Sequence, residues 1–468
     1  MKTEYAKTAI VLGAGPAGLA AALELARNNV QVIIYERDEI VGGISKTKEH
    51  HGYRFDMGGH RFFTKNREVE VWWHVALESN FQRIPRLSRI YYNRRFFKYP
   101  ITIMDALKNA GIGPSALWFL SFLRYKIMPI RPEKSFADWV TNRFGKRLFE
   151  TFFKSYTEKV WGIPTTELSS EWAVQRIRGL SLWSAIRNAL FRSQNKETSL
   201  IDEFDYPKYG PGMMYDAVAG QIKAAGGTIL TGCQVTGMRC RDGKVTGVEV
   251  MKDGYKTEHS ADVFVSTIPL PDTLAFLFPG QPEVETSIRS MRFRDFISVN
   301  LILDKADVFP DTWIYIHDPT VKVGRIQNFK NWSPWMTPTQ DHTPIGCEYF
   351  CTEGDTLWNM PDEDLLKLAA VELKTIGLGG DAAITDGCVC RIRNAYPMYT
   401  GAYREAISCA RVALAGISNL QVAGRGGMFR YNNMDHSILS GWFAARKLMG
   451  QNCSPWDANT EDEYHEER

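Results

Sequence analysis

Two rhythms of apolar and polar positions run along the chain. Thr8-Ala-Ile-Val-Leu12 is a short, nearly continuous apolar run and reads as a strand. Leu19 to Arg27 then has helical composition, and Val30–Tyr35 reads as a second strand ending at Glu36. Between about 66 and 200 the period becomes helical and rich in aromatics: Val69-Glu-Val-Trp72-Trp73, Phe136-Ala-Asp-Trp139, Leu148-Phe-Glu-Thr-Phe152-Phe153. That stretch predicts a helical insertion around an aromatic-lined cleft. Within it, Ala116–Leu123 predicts a buried helix that stops at Arg124, with a surface membrane patch as the minor alternative. Arginines between 83 and 95 recur every third residue, which suits one helical stripe on a solvated face; nucleotide recruitment at a cleft mouth is the sharper alternative.

Past the turn-rich Tyr206–Gly212 and a further helix, short strands follow: 227–232, Val235–Arg241, Val245–Met251 and Asp262–Ser266. Asp242-Gly243 is a hairpin-turn signal between two of them. Residues 296–355 read as longer antiparallel strands, Asn419–Ala423 as a late strand, and Ser437–Met449 as a closing helix. The tail after Ser454 is acidic and expected to be loose.

At 468 residues the chain exceeds what one core usually serves, so two or three domains are expected. A net charge of +3 is too small to argue for nucleic acid, so any anion site must be local. The eight cysteines include no C-x-x-C pair and the start does not look like a signal peptide, which points to reduced thiols in a cytoplasmic protein. No run of eighteen apolar residues exists, so stable membrane insertion is not expected. No metal site is expected.

Gly13-Ala-Gly15-Pro16-Ala17-Gly18 follows the first strand at once and opens the first helix. In that arrangement Gly13 permits the tight turn, Gly15 admits close approach of a pyrophosphate, and Gly18 lets helix pack on strand. The helix N-terminus turns its unpaired N–H groups toward the phosphates. Glu36, with Arg37 beside it, ends the second strand where an acid would bind an adenosine ribose. Two further clusters extend the device: Gly43-Ile44-Ser45 with Gly58-Gly59-His60, and Gly424-Arg425 with Asn433-Met434 and Ser437 at the last helix. Val235 joins them as a candidate cofactor contact.

With the fingerprint, these clusters resemble the FAD-dependent family of amine oxidases, protoporphyrinogen oxidase and UDP-galactopyranose mutase. The resemblance implies FAD rather than NAD, with NADPH or NADH as candidate reductant. It also implies a fold: an α/β, glutathione-reductase-like Rossmann domain with a helical insertion and an antiparallel-sheet substrate domain. The expected boundaries are 1–65, 206–275 and 413–450 for the FAD domain, 66–205 for the helical lid, 276–412 for the substrate sheet, and 451–468 for the tail.

Tyr156-Thr-Glu-Lys-Val-Trp161-Gly-Ile-Pro is similar to the mutase segment lining the sugar-nucleotide cleft, and continues to Arg176. Gly324-Arg325, Ala395-Tyr396-Pro397 and Arg430-Tyr431 resemble the places of a second arginine and two tyrosines. The resemblance implies that Arg176, Arg325, Tyr396 and Tyr431 hold a substrate diphosphate, with Trp161 lining the cleft and His60 beside the flavin. Guanidinium suits that work through its planar fork of donors. The implied reaction interconverts pyranose and furanose forms of a nucleotide-linked sugar, with N5 of reduced FAD as nucleophile. The alternative is an FAD-dependent oxidase or dehydrogenase of an amine, porphyrinogen or polyene. Asn433 stands where many bacterial mutases carry an aspartate. A homodimer is compatible with these expectations.

Overall fold

The computed structural model describes residues 6–99, 109–170 and 203–459. At its centre is a five-stranded parallel sheet in the order Leu420–Val422, Val263–Ser266, Thr8–Leu12, Gln31–Tyr35, Thr228–Leu230. The apolar run at 8–12 has a direct cause, since both faces of its strand are covered. Ala9 and Val11 pack into a core with the helices Pro16–Arg27, Gly212–Ala224 and Met434–Leu448. Ile10 and Leu12 pack on the other side against the antiparallel strands Gln234–Arg241 and Lys244–Lys252. Asp242 and Gly243, at φ 49° and 69°, make the expected hairpin turn between those two strands.

The first and last helices cross closely because Gly441 carries no Cβ; one placed there would overlap the Ala17 carbonyl oxygen. Ser454 onward is packed rather than loose as far as Asn459. Pro455 and Ala458 are buried, and Arg430 donates to the Trp456 and Asn459 carbonyls.

A second, seven-stranded sheet has the order Ile384–Pro397, Phe293–Leu303, Thr343–Cys351, Arg325–Asn328, Trp313–Ile316, Ser88–Tyr92, Arg95–Lys98. All neighbours are antiparallel except Trp313–Ile316 beside Ser88–Tyr92. Ile297, Val299, Leu301 and Leu303 point to one face, under the helix Asp362–Ile376. Phe296 and Ile302 point to the other, where the hairpin Thr47–His50/Tyr53–Asp56 packs with Phe55 and Met57.

Two expectations for the 66–205 stretch are corrected. Arg83, Arg89 and Arg95 lie on strands, not on one helical stripe. Ile84, Ile90, Tyr91, Tyr92, Phe96 and Phe97 favour strands, and Asn93-Arg94 turn between them at φ 49° and 59°. Two of them are engaged: Arg89 pairs with the fully buried Asp311 at 2.5 Å, and Arg83 with Asp205 at 3.1 Å. The apolar segment at 116–123 does form a helix, Ile112–Ile127, but only Phe122 is buried. It packs along one narrow seam, where the absent Cβ of Gly145 lets backbones meet beside Phe122.

Candidate functional site

The carboxyl ends of parallel strands with helices behind them are where such sheets leave a crevice. Here a cavity of about 490 Å³ opens at the ends of Thr8–Leu12, Gln31–Tyr35 and Val263–Ser266. Gly13 (φ 98°) turns the chain beneath it, where a Cβ would stand 2.5 Å from Thr267 Oγ1. A Cβ on Gly18 would overlap the Gly13 carbonyl oxygen, so this glycine packs helix on strand and does not face the cavity. Gly15 behaves otherwise: a Cβ would meet only Gly43 Cα, at 3.8 Å. The facing glycines leave a slot wide enough for backbone to lie against a phosphate.

Glu36 is held rigidly, accepting from the Ala14 N–H at 2.6 Å and the Asp38 N–H at 2.9 Å. Burial raises its pKa, against the lowering effect of those two N–H groups. Of the expected cofactor residues, Gly13, Gly15, Pro16, Ala17, Glu36, Arg37, Gly43, Ile44, Ser45, His60, Val235, Gly424, Arg425, Asn433, Met434 and Ser437 line this one cavity. Gly58 and Gly59 do not. Gly58 holds a positive φ of 101° beside the His60 ring, and a Cβ on Gly59 would stand 3.3 Å from the Gln327 amide nitrogen. At the far end Asn433, extended at φ −76°, precedes the helix Met434–Leu448 without a side-chain capping bond, and the helix N-terminus faces the cavity.

Sequence reasoning passed over Thr267, Ile268 and Pro269, which also line the cavity. They directly follow the strand Val263–Ser266, and the rule that ligands sit at strand carboxyl ends would have found them.

The second group of expected residues gathers beside this cavity. Tyr396 and Tyr431 stack at 5.7 Å with their planes 17° apart, and Arg425 lies 4.6 Å from the Tyr431 centroid. Trp161 meets Tyr396 edge-on at 6.3 Å. It ends the helix Ser155–Trp161, which Gly162 stops in the left-handed conformation (φ 66°). Arg294 locks that end from below, donating to the Val160 and Phe350 carbonyls. Lys159 ties the same helix to the loop before Arg325 by donating to the carbonyls of Ile316, Asp318 and Val323.

Arg325 is in place but not a bare cation. Its Nε and Nη2 donate to Oε2 of the fully buried Glu348 at 3.0 and 2.5 Å, and Gln327 donates to the other oxygen. Burial opposes its charge, yet Glu348, together with Tyr396 and Tyr156, outweighs this and holds the guanidinium firmly protonated. Glu348 was not a sequence candidate; an acid on a strand facing another strand's arginine has no local signature.

His60 joins the two groups. Its Nε2 lies 2.8 Å from the Met57 carbonyl, and its pKa falls to about 4 through burial, with Arg425 and Arg325 adding to the effect. The ring is therefore neutral at pH 7 and works as a hydrogen-bonding group. Arg176 lies outside the described residues.

Residues 16–449 match the model of the flavin-containing amine oxidoreductases. The chain belongs to this family. Its cofactor is FAD, and the cavity fits it: facing glycines for the pyrophosphate, Glu36 at one end, and a helix N-terminus at the other. Among solved structures, reduced UDP-galactopyranose mutase superposes with a TM-score of 0.82 at 21% identity, covering 95% of this chain and 94% of that one. A putative protoporphyrinogen oxidase from Exiguobacterium sp. 255-15 gives a TM-score of 0.71 at 17% identity, covering 95% and 98%. These likenesses show a shared fold. In sequence, a probable UDP-galactopyranose mutase of Klebsiella pneumoniae is 28% identical over 173 residues, 35% of this chain and 43% of that protein. The all-trans-retinol 13,14-reductase of Danio rerio is 22% identical over 320 residues, 60% of this chain and 50% of that protein. The chain thus spans at most half the length of these curated relatives.

Proposed function

We propose that this flavoenzyme interconverts ring forms of a nucleotide-linked sugar. The observation that carries the reading is the Tyr396–Tyr431 stack with Arg325 and Trp161, set against the cofactor cavity through Arg425 and His60. Two phenols and two guanidiniums gathered beside the cofactor cavity suit an anionic substrate better than an apolar one. When bound and reduced, FAD supplies a nucleophilic nitrogen, so the sugar is rearranged without net oxidation.

The roles of the chain's own residues follow from their places. Tyr396 and Tyr431 donate to the diphosphate as its charge grows on departure from the sugar. Burial pushes the Tyr396 hydroxyl above its usual range, which keeps it a donor at neutral pH. Arg325 adds positive charge tempered by Glu348. The charged groups at hand sum to about one positive unit from two guanidiniums and one carboxylate, so a diphosphate needs a further cation, the role proposed for Arg176. Trp161, fully buried, backs Tyr396 edge-on and holds its ring in place, and neutral His60 orients groups at the junction without adding charge. NADPH or NADH is the proposed reductant.

The test is to reduce the FAD-loaded protein with dithionite, add UDP-galactopyranose or UDP-galactofuranose, and chromatograph the products. Conversion only in the reduced state supports the proposal. Peroxide formation with an amine, porphyrinogen or polyene, and no sugar-nucleotide turnover, replaces it with the oxidoreductase reading.

A further inference from the structure

The helix Ile112–Ile127 carries its apolar face outward. Its inner side is Phe122, buried, with Trp118, Ser121 and Tyr125 half-buried around it. On its outer side Ile112 is 83% exposed, Leu120 61% and Ile127 77%, with Leu117, Phe119 and Met128 also exposed. Of the sixteen large hydrophobic side chains exposed among the described residues, six fall within 112–128. Scattered single ones are ordinary, whereas a contiguous stripe marks a surface that meets something apolar.

Helical geometry places charge around that stripe. At 3.6 residues per turn, Ile112, Ala116, Leu120 and Ile127 share the outward line, with Arg124 on one flank and Lys126 on the other. Residues 106–132 contain Lys108, Arg124, Lys126 and Arg131 and no acid, in a chain that has 53 acidic residues. The first acid beyond, Glu133, is engaged by Arg143 at 3.0 Å. Two copies pressed together through this face would bring their cations into opposition. An anionic lipid surface complements both the apolar stripe and its basic flanks. Among the described residues no helix is long and apolar enough to cross a membrane, so the contact is peripheral.

We infer that the outward face of Ile112–Ile127 docks this protein on an anionic membrane surface. The helix lies flat, its apolar side chains at the boundary between headgroups and acyl chains. Arg124, Lys126 and Arg131 meet the lipid phosphates. The inference is independent of which reaction the flavin site performs.

Flotation of the FAD-loaded chain tests it, using vesicles of phosphatidylcholine alone and of phosphatidylcholine mixed equally with phosphatidylglycerol. The protein is expected to float with the mixed vesicles and not with the neutral ones, and less so at high salt. The pair Leu120→Glu, Ile127→Glu is expected to lower partitioning by roughly a hundredfold through lost apolar burial. The pair Arg124→Gln, Lys126→Gln is expected to lower it roughly thirtyfold. Val371→Glu, at an exposed valine on the helix Asp362–Ile376, is expected to leave it unchanged. Retained flavin absorbance shows that each variant is folded. Failure to float with mixed vesicles overturns the inference, as does undiminished flotation of Leu120→Glu, Ile127→Glu. A concentration-dependent dimer in sedimentation velocity, abolished by that pair and without flotation, also overturns it and assigns the face to a second copy.

Discussion

Gly15→Ala separates cofactor binding from folding, because Gly15 is a glycine the protein itself does not need. Its backbone is extended (φ −75°, ψ 179°), a conformation any residue adopts. The added methyl would meet only Gly43 Cα at 3.8 Å, an ordinary contact. The apoprotein should therefore keep its stability or gain about 0.4–1 kcal/mol from a less flexible unfolded chain. In the holoprotein the same methyl stands in the slot assigned to the pyrophosphate. Overpacking there costs about 1–3 kcal/mol, a rise in the FAD dissociation constant of roughly 5- to 150-fold. Urea unfolding of the apoprotein and quenching of FAD fluorescence on binding read the two quantities separately. Gly18→Ala is the contrast, since its methyl overlaps the Gly13 carbonyl oxygen and should depress apoprotein stability as well. Unchanged FAD affinity in Gly15→Ala would refute the placement of the cofactor in this slot.

Further outcomes follow from the same geometry. Glu348→Gln breaks a buried ion pair and should cost about 3–5 kcal/mol of stability, measured by chemical denaturation. It should at the same time tighten UDP binding by about 1–2 kcal/mol, because Arg325 loses its internal counter-charge; weaker UDP binding would contradict the role of Arg325. For His60 the folded pKa of about 4 lies below the unfolded value of 6.5, so the unfolded chain binds the extra proton first as pH falls. Stability is then full above the unfolded value and declines through that window by about 3 kcal/mol, a decline that His60→Gln should lack in urea titrations. Arg176→Ala should weaken UDP binding by about 1.5–3 kcal/mol in calorimetry, and unchanged affinity would place it outside the site.

What the sequence made legible was local. The glycine spacing, the run at 8–12 and Asp242-Gly243 each encode their geometry within a few residues, and the structure carries all three. Tyr396, Tyr431, Arg325 and Trp161 are far apart in the chain, and only their resemblance to family segments pointed to them; they do converge. The Glu348–Arg325 pair escaped notice because adjacent antiparallel strands bring together residues 23 apart, with no spacing rule to announce it. A step of three among arginines 83–95 is compatible with a helix, but their aromatic and β-branched neighbours favour strands, and strands form. In the segment 116–123 apolar content does not mean burial, because a helix buries only the face that has a neighbour.

The central claim is that a nucleoside diphosphate binds beside the flavin, against Tyr396, Tyr431 and Arg325. The most direct measurement is the flavin difference spectrum of the FAD-loaded protein titrated with UDP, repeated on Arg325→Gln and on Tyr396→Phe. A saturable spectral change that weakens in both variants is the predicted result. No change with UDP, in a protein whose flavin does respond to an apolar substrate, would contradict it.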